Sequence, residues 1–271
     1  CIRDRYQTFH KQLLSQQFTQ SDHDPCYYFK IYPDGTRCDI LVYVDDGWVE
    51  DDAGPLADAD LQILAERFRG ESPMTFNPPS HFLGQNVRAD ISDNKMYVSS
   101  QAYVLKQAEV YVPDWRQRAP MDMPAPQTLR DLYVTARDGD HVPTQASLRE
   151  FQGIVGVLIY VLPCVRVDVA QPIGMLSRAL TFPTPELLAV AYDVLVYLAQ
   201  TADVGVVYDG NAPDAGVLVA YCDSDWPEGH GTTGYAIVLA GAVIGYASKR
   251  QPIIAMSSTE AEIVALSLIH I

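Results

Sequence analysis

Residues 39–51 read DILVYVDDGWVED. Ile40 to Tyr43 are strand-favouring residues, and with Val44 they lead into two adjacent carboxylates, Asp45 and Asp46, followed by Gly47. Two readings compete for this stretch. Asp-Gly is a preferred pair for a type I′ hairpin turn, so Asp46-Gly47 can be nothing more than the bend between two strands. Alternatively, an apolar strand pair projects both carboxylates to hold magnesium, which takes few protein oxygens and leaves positions open for phosphate. Side chains of like charge held about 4 Å apart repel by roughly 4 kcal/mol at an effective dielectric near 20, so they need a cation, a shared proton or solvent. In an exposed turn solvent suffices, and the stretch alone favours the bend.

Working outward, YQTFHKQLLSQQF predicts a helix and CYYFKIY a strand, and Pro33-Asp34-Gly35 marks a tight turn into CDILVYV. PLADADLQILAERF spaces Leu56, Ile63, Leu64 and Phe68 for a helix, with the polar Asp60 on the same stripe, and SHFLGQNVRADI reads as a further strand. A small sheet with a covering helix results. From Val112 to Pro143 five prolines and few apolar runs predict a linker or irregular connection. LREFQGIVGVLIYVL restarts the helical pattern. Thr184-Pro185 caps another helix, whose Leu187, Ala191, Val194, Leu195 and Leu198 fall on one stripe. After Gly210 the pattern turns to strands: AGVLVAYCDSDW, then TTGYAIVLAGAVIGYASK bending at Ala240-Gly241. Ser257 and Glu260 have capping-box spacing ahead of a final helix.

With 271 residues, 48% of them apolar, the chain has material for a substantial core. Its five cysteines show neither the short spacings of a zinc ribbon nor a disulfide framework, and suit a reducing compartment. The longest uncharged stretch, Gly231 to Ser248, contains a turn and argues against a membrane span. The N-terminus lacks a signal-peptide pattern and reads as an interior cut, and an intracellular location, cytoplasmic or nuclear, is expected. A formal charge of −15, from 19 basic and 34 acidic residues, weighs against affinity gained by neutralising phosphates.

A second acidic constellation lies near the C-terminus. Asp223 and Asp225 end an apolar strand, and Glu260 and Glu262 begin the last helix. Capping accounts for Glu260 but not for Glu262, and a turn accounts for Asp225 more readily than for Asp223.

The order of motifs is specific where each alone is weak. YVDD, FLGQNV, SSQAYVLKQAEVY, LREFQGIVGVLIYV, VRVDVAQPIGMLSR, YCDSDW, GTTGYAIVLAGAVIGYASKRQP and SSTEAE together resemble the Pol polyprotein of copia-type retrotransposons, from the reverse transcriptase palm into ribonuclease H. The resemblance implies an α+β chain: a partial reverse transcriptase palm over 1–111, a linker and helical connection over 112–210, and a truncated RNase H-like α/β domain over 211–271. It implies Asp45 and Asp46 as the catalytic turn, a primer-grip-like strand at Phe82, Leu83 and Gly84, and Asp223 and Glu262 as metal ligands of the second domain. Magnesium, or manganese, is the implied cofactor; an RNA template, a DNA primer and an RNA–DNA hybrid are the implied partners.

The departures are equally readable. The family's earlier palm strand with its own Asp precedes Cys1, and its later RNase H acids follow Ile271, so the isolated chain is expected to be inactive. The helix usually rich in Lys and Arg reads YDVLVYLAQT, and the usual Arg-Pro-Asp reads Arg166-Val167-Asp168. A non-catalytic, element-derived interaction protein is the alternative expectation.

Overall fold

The computed structural model describes residues 2–44, 46–52, 54–69, 80–162, 165–227 and 229–267, with residues 2–5 described by backbone alone. Helix and sheet are both well represented, as an α+β chain requires. Two compact units divide at Leu83 and Gly84.

The first unit begins with α1 (Ile2–Ser15), followed by β1 (Thr19–Gln20), β2 (Tyr27–Ile31), β3 (Arg37–Tyr43) and β4 (Asp46–Asp51), an antiparallel sheet in chain order. Helix α2 (Pro55–Arg67) and the short β5 (His81–Phe82) complete it. Alternation along β3 sends Cys38, Ile40 and Val42 into a core shared with Leu13, Phe18 and Leu64. The predicted turn after β2 is present: Gly35 has φ 87°, and the Tyr32 amide donates to the Thr36 carbonyl at 2.8 Å. Helix α2 forms as expected, but its buried positions are Ala57, Leu61 and Leu64, whereas Leu56 and Ile63 are exposed. Asp60 explains the shift. Its carboxylate takes Lys30 Nζ at 2.6 Å and the Tyr32 hydroxyl at 2.9 Å, so the helix presents a satisfied charge beside the sheet.

The second unit opens with β6 (Gln85–Asp90), β7 (Lys95–Ser99) and α3 (Gln101–Tyr111). Within Val112 to Pro143, the predicted linker, lie a 3-10 turn at Trp115–Gln117 and α4 (Leu129–Asp138). The prolines bracket this helix instead of interrupting it, and Leu129 and Ala136 bury one face. Helices α5 (Gln145–Val161), α6 (Ala170–Arg178) and α7 (Pro185–Gln200) supply most of one helical core, with Phe151, Leu158, Ile173 and Leu195 fully enclosed. At the start of α7, Thr184 Oγ1 accepts the Leu187 amide at 3.4 Å. The next strand, β8 (Val206–Asp209), returns to pair antiparallel with β7, which itself pairs with β6. A Cβ at Gly205 would stand 2.1 Å from the Val98 carbonyl oxygen, so only glycine permits that approach.

A separate antiparallel sheet follows, with β10 (Thr232–Leu239) between β9 (Val219–Ser224) and β11 (Ala242–Arg250). Ala240 and Gly241, at φ 50° and 78°, make the expected bend. Helix α8 (Ser258–Ser267) packs on β9 and β10. Its cap departs slightly from the expected box: Ser257 Oγ accepts the Glu260 amide at 3.2 Å, but the Glu260 carboxylate accepts from the Met256 amide at 2.6 Å instead of the cap residue's own. Among the described residues no helix is long and apolar enough to cross a membrane.

Candidate functional site

The bend between β3 and β4 does not use Asp46-Gly47. Tyr43 pairs with Asp46 and Val42 with Gly47, so both residues belong to the strand, and the positive φ falls on Val44 at 56°. With Tyr43 opposite Asp46, the bend lies two residues earlier than an Asp46-Gly47 turn would put it. A β-branched residue in the left-handed region is an outlier, and Val44 is also half exposed. Asp46 is exposed at the head of β4; Asp45 lies outside the described residues. The primer-grip-like residues have distinct settings. Phe82 packs edge-on against Trp48 with ring centroids 5.6 Å apart, and Leu83 and Gly84 have φ 49° and 77°. A Cβ at Gly84 would meet the Tyr160 hydroxyl at 2.7 Å.

At the end of β9, Ser224 Oγ donates to Glu262 on α8 at 3.0 Å. Ser224 is paired with the buried Thr233 of β10, whose hydroxyl accepts from Gln251 Nε2 at 3.0 Å; the same nitrogen donates to the Ala261 carbonyl at 2.9 Å. Gln251 thus ties the β10 face to α8, and its Oε1 is buried with no hydrogen-bond partner among the described residues. Asp223 sits one residue earlier, opposite Gly234, and is exposed. Strand alternation places it with Tyr221 on the face away from Ser224. Asp225 accepts from the Thr232 amide, and Glu260 serves the helix cap. Ser224 and Gln251 are the residues that sequence reading passed over; counting parity back from Thr233 identifies the first, and nothing local signals the second. Among the described residues, no three His, Cys, Asp or Glu side chains gather as a metal-holding group.

Arg166 and Asp168 are a structural joint. The guanidinium is 2% exposed and meets Asp168 bidentately, Nε to Oδ1 at 3.0 Å and Nη2 to Oδ2 at 2.7 Å. It also donates to the Thr201 carbonyl at 2.9 Å and hydroxyl at 2.8 Å, closing the C-terminal end of α7. That helix is apolar because Val194, Leu195, Val196 and Leu198 are all buried.

No protein-family model matches the chain. It is 30% identical over 259 residues to a putative transposon Ty5-1 protein of Saccharomyces cerevisiae, covering 92% of this chain and 78% of that protein. It is 26% identical over 272 residues to the retrovirus-related Pol polyprotein from transposon TNT 1-94 of Nicotiana tabacum, and 31% identical over 229 to that from transposon RE1 of Arabidopsis thaliana. Those matches cover 97% and 82% of this chain, which spans only 20% and 14% of the two polyproteins. A mixed helix-and-sheet chain matched over most of its length to such proteins is retrotransposon-derived. It belongs to the copia-type Pol polyprotein family.

Proposed function

We propose that the chain carries reverse transcriptase palm and ribonuclease H-like portions of a copia-type Pol polyprotein, with Asp45 and Asp46 as the palm carboxylates and Asp223 and Glu262 as acids of the hybrid-cleaving part. The observation that carries this reading is the run β9, β10, β11, α8, with one acid at a strand end and Glu262 reaching that same strand end through Ser224. Carboxylate oxygens suit magnesium, and exposure of Asp46 and Asp223 leaves room for an ion that retains its waters. When bound, such an ion supplies Lewis-acid activation of water and of a phosphoryl oxygen. The residues themselves hold the charges in place: Ser224 orients Glu262, and β9 pairing fixes Asp223. The nucleic-acid partners in this reading are a primed template at the first unit and an RNA–DNA hybrid at the second.

A second reading, a non-catalytic interaction protein derived from the element, is favoured by the division of Asp223 and Glu262 between two faces of β9. Calorimetric magnesium titration and hybrid cleavage, each compared with Asp223→Asn and Glu262→Gln, separate the two. The proposed site gives weak magnesium binding that either substitution lowers, with slow cleavage. Magnesium binding indifferent to both substitutions refutes the site. Robust cleavage abolished by either overturns the expectation of a feeble centre.

A further inference from the structure

Arg178 closes α6, which packs on β11; a Cβ at Gly174 would come within 3.4 Å of the Ser248 carbonyl oxygen. The Arg178 guanidinium is partly buried, and among the described residues it has no hydrogen-bond or ion-pair partner. Burial pushes its pKa down, the nearby Tyr133 opposes this, and Arg250 pushes the same way as burial, against a further opposing contribution from Asp225. Arg250 is exposed at the end of β11, opposite Thr232, and is likewise without a hydrogen-bond or ion-pair partner among the described residues. Arg130 on α4 approaches Asp225 at 3.6 Å. Arg130 thus pairs with Asp225, the carboxylate that also accepts the Thr232 amide opposite Arg250, and Arg178 senses both Asp225 and Arg250, in a chain whose formal charge is −15. Arginine does not shed its proton at ordinary pH, so a partly desolvated guanidinium with a like-charged neighbour is a favourable place for an anion.

We propose that Arg178 and Arg250, with Arg130 beside them, bind backbone phosphates of a nucleic-acid strand. The planar forks match phosphate oxygens. Trp226, the residue after Asp225, holds its indole nitrogen on the Ala255 carbonyl at 2.9 Å and leaves its side chain 55% exposed, a fixed aromatic surface suited to a base. The choice of a nucleic acid as ligand rests on the reading proposed above; the arginine geometry does not.

The test is fluorescence anisotropy of the full chain with a labelled RNA–DNA hybrid, without divalent metal, over a range of salt. Arg178→Gln with Arg250→Gln should weaken binding and reduce the slope of log K against log salt by about 0.9 for each phosphate that is no longer neutralised. Arg116→Gln, whose native side chain pairs with Glu109, should leave the slope unchanged. If circular dichroism shows that Arg178→Gln unfolds the chain, the exposed Arg250→Gln alone still predicts a decrease of about 0.9 in that slope. A slope equal to wild type in the folded variants overturns the arginine site while leaving the proposed function standing. A wild-type chain that binds no hybrid, yet shows magnesium binding sensitive to Asp223→Asn and Glu262→Gln, also removes only this site. Failure of both measurements removes both proposals.

Discussion

Replacing Arg166 by alanine should cost more stability than any other single charge removal in the second unit. The side chain is 2% exposed, bridges Asp168 with two hydrogen bonds and holds the Thr201 carbonyl and hydroxyl with two more. Removing one partner of a buried pair typically costs about 3–5 kcal/mol, because the remaining charge stays uncompensated. Asp168 is 33% exposed and keeps the Tyr197 hydroxyl at 3.0 Å, which puts the expected loss near the low end, about 3 kcal/mol. Urea unfolding followed by helical circular dichroism should show a lower midpoint at unchanged slope. The pH dependence has a definite sign. Burial alone would raise the Asp168 carboxyl, but the Arg166 hydrogen bonds and charge, with Tyr197, outweigh it and hold the group below the ordinary carboxylate range. Its stabilising contribution is complete above the unfolded value of about 4 and is lost as pH falls through the depressed folded value. The gap between wild type and Arg166→Ala should therefore narrow in acid. A loss under about 1 kcal/mol at neutral pH, or a gap that widens in acid, refutes the joint.

Val44→Gly should stabilise the first unit by about 1 kcal/mol, read as a higher urea midpoint, because glycine accepts the positive φ that costs a β-branched residue roughly 1–2 kcal/mol; a lower midpoint would show that the Val44 side chain contributes more than its backbone costs. Cys38 is fully buried, and burial, reinforced by Asp51, Asp39 and Asp60, pushes its thiol up to about 12, so native alkylation near pH 8 should modify Cys26 and Cys222 and spare Cys38. Mass spectrometry of the labelled chain checks this, and early labelling of Cys38 contradicts the packing of β3.

Local chemistry made several elements legible. Thr184-Pro185, Pro33-Asp34-Gly35 and Ala240-Gly241 carry their conformations in their own backbones, and the structure uses all three. What escaped depended on partners distant in sequence. Helix α4 has Leu129 and Ala136 seven residues apart on one face, yet proline density hid a short run whose burial depends on other helices. On α2 the apolar stripe seemed to include Leu56 and Ile63 until Lys30 and Tyr32 claimed Asp60 and fixed which side faces the sheet. Arg166-Val167-Asp168 reads as a departure from the usual Arg-Pro-Asp, yet its charged members make a bidentate pair and the arginine ends α7. A bend between two strands is legible near Asp46, but its position, with the positive φ at Val44 and Asp46 inside β4, depends on cross-strand pairing.

The alternation at Asp223 and Ser224 makes the chemistry beside Glu262 a matter of parity. Opposite faces of one strand carry a hydroxyl and a carboxylate, and a slip of a single residue exchanges them. A one-residue deletion in the segment joining β9 to β10 can therefore turn Asp223 toward α8 without altering either acid. Glu262 would trade a hydrogen-bond donor for a second negative charge, a repulsion of roughly 4 kcal/mol at 4 Å and a dielectric near 20. A divalent cation between them would reverse that sign. In this fold the register of the strand beside Glu262, set in part by the length of a connecting turn, decides whether that corner favours a neutral hydroxyl or demands a metal.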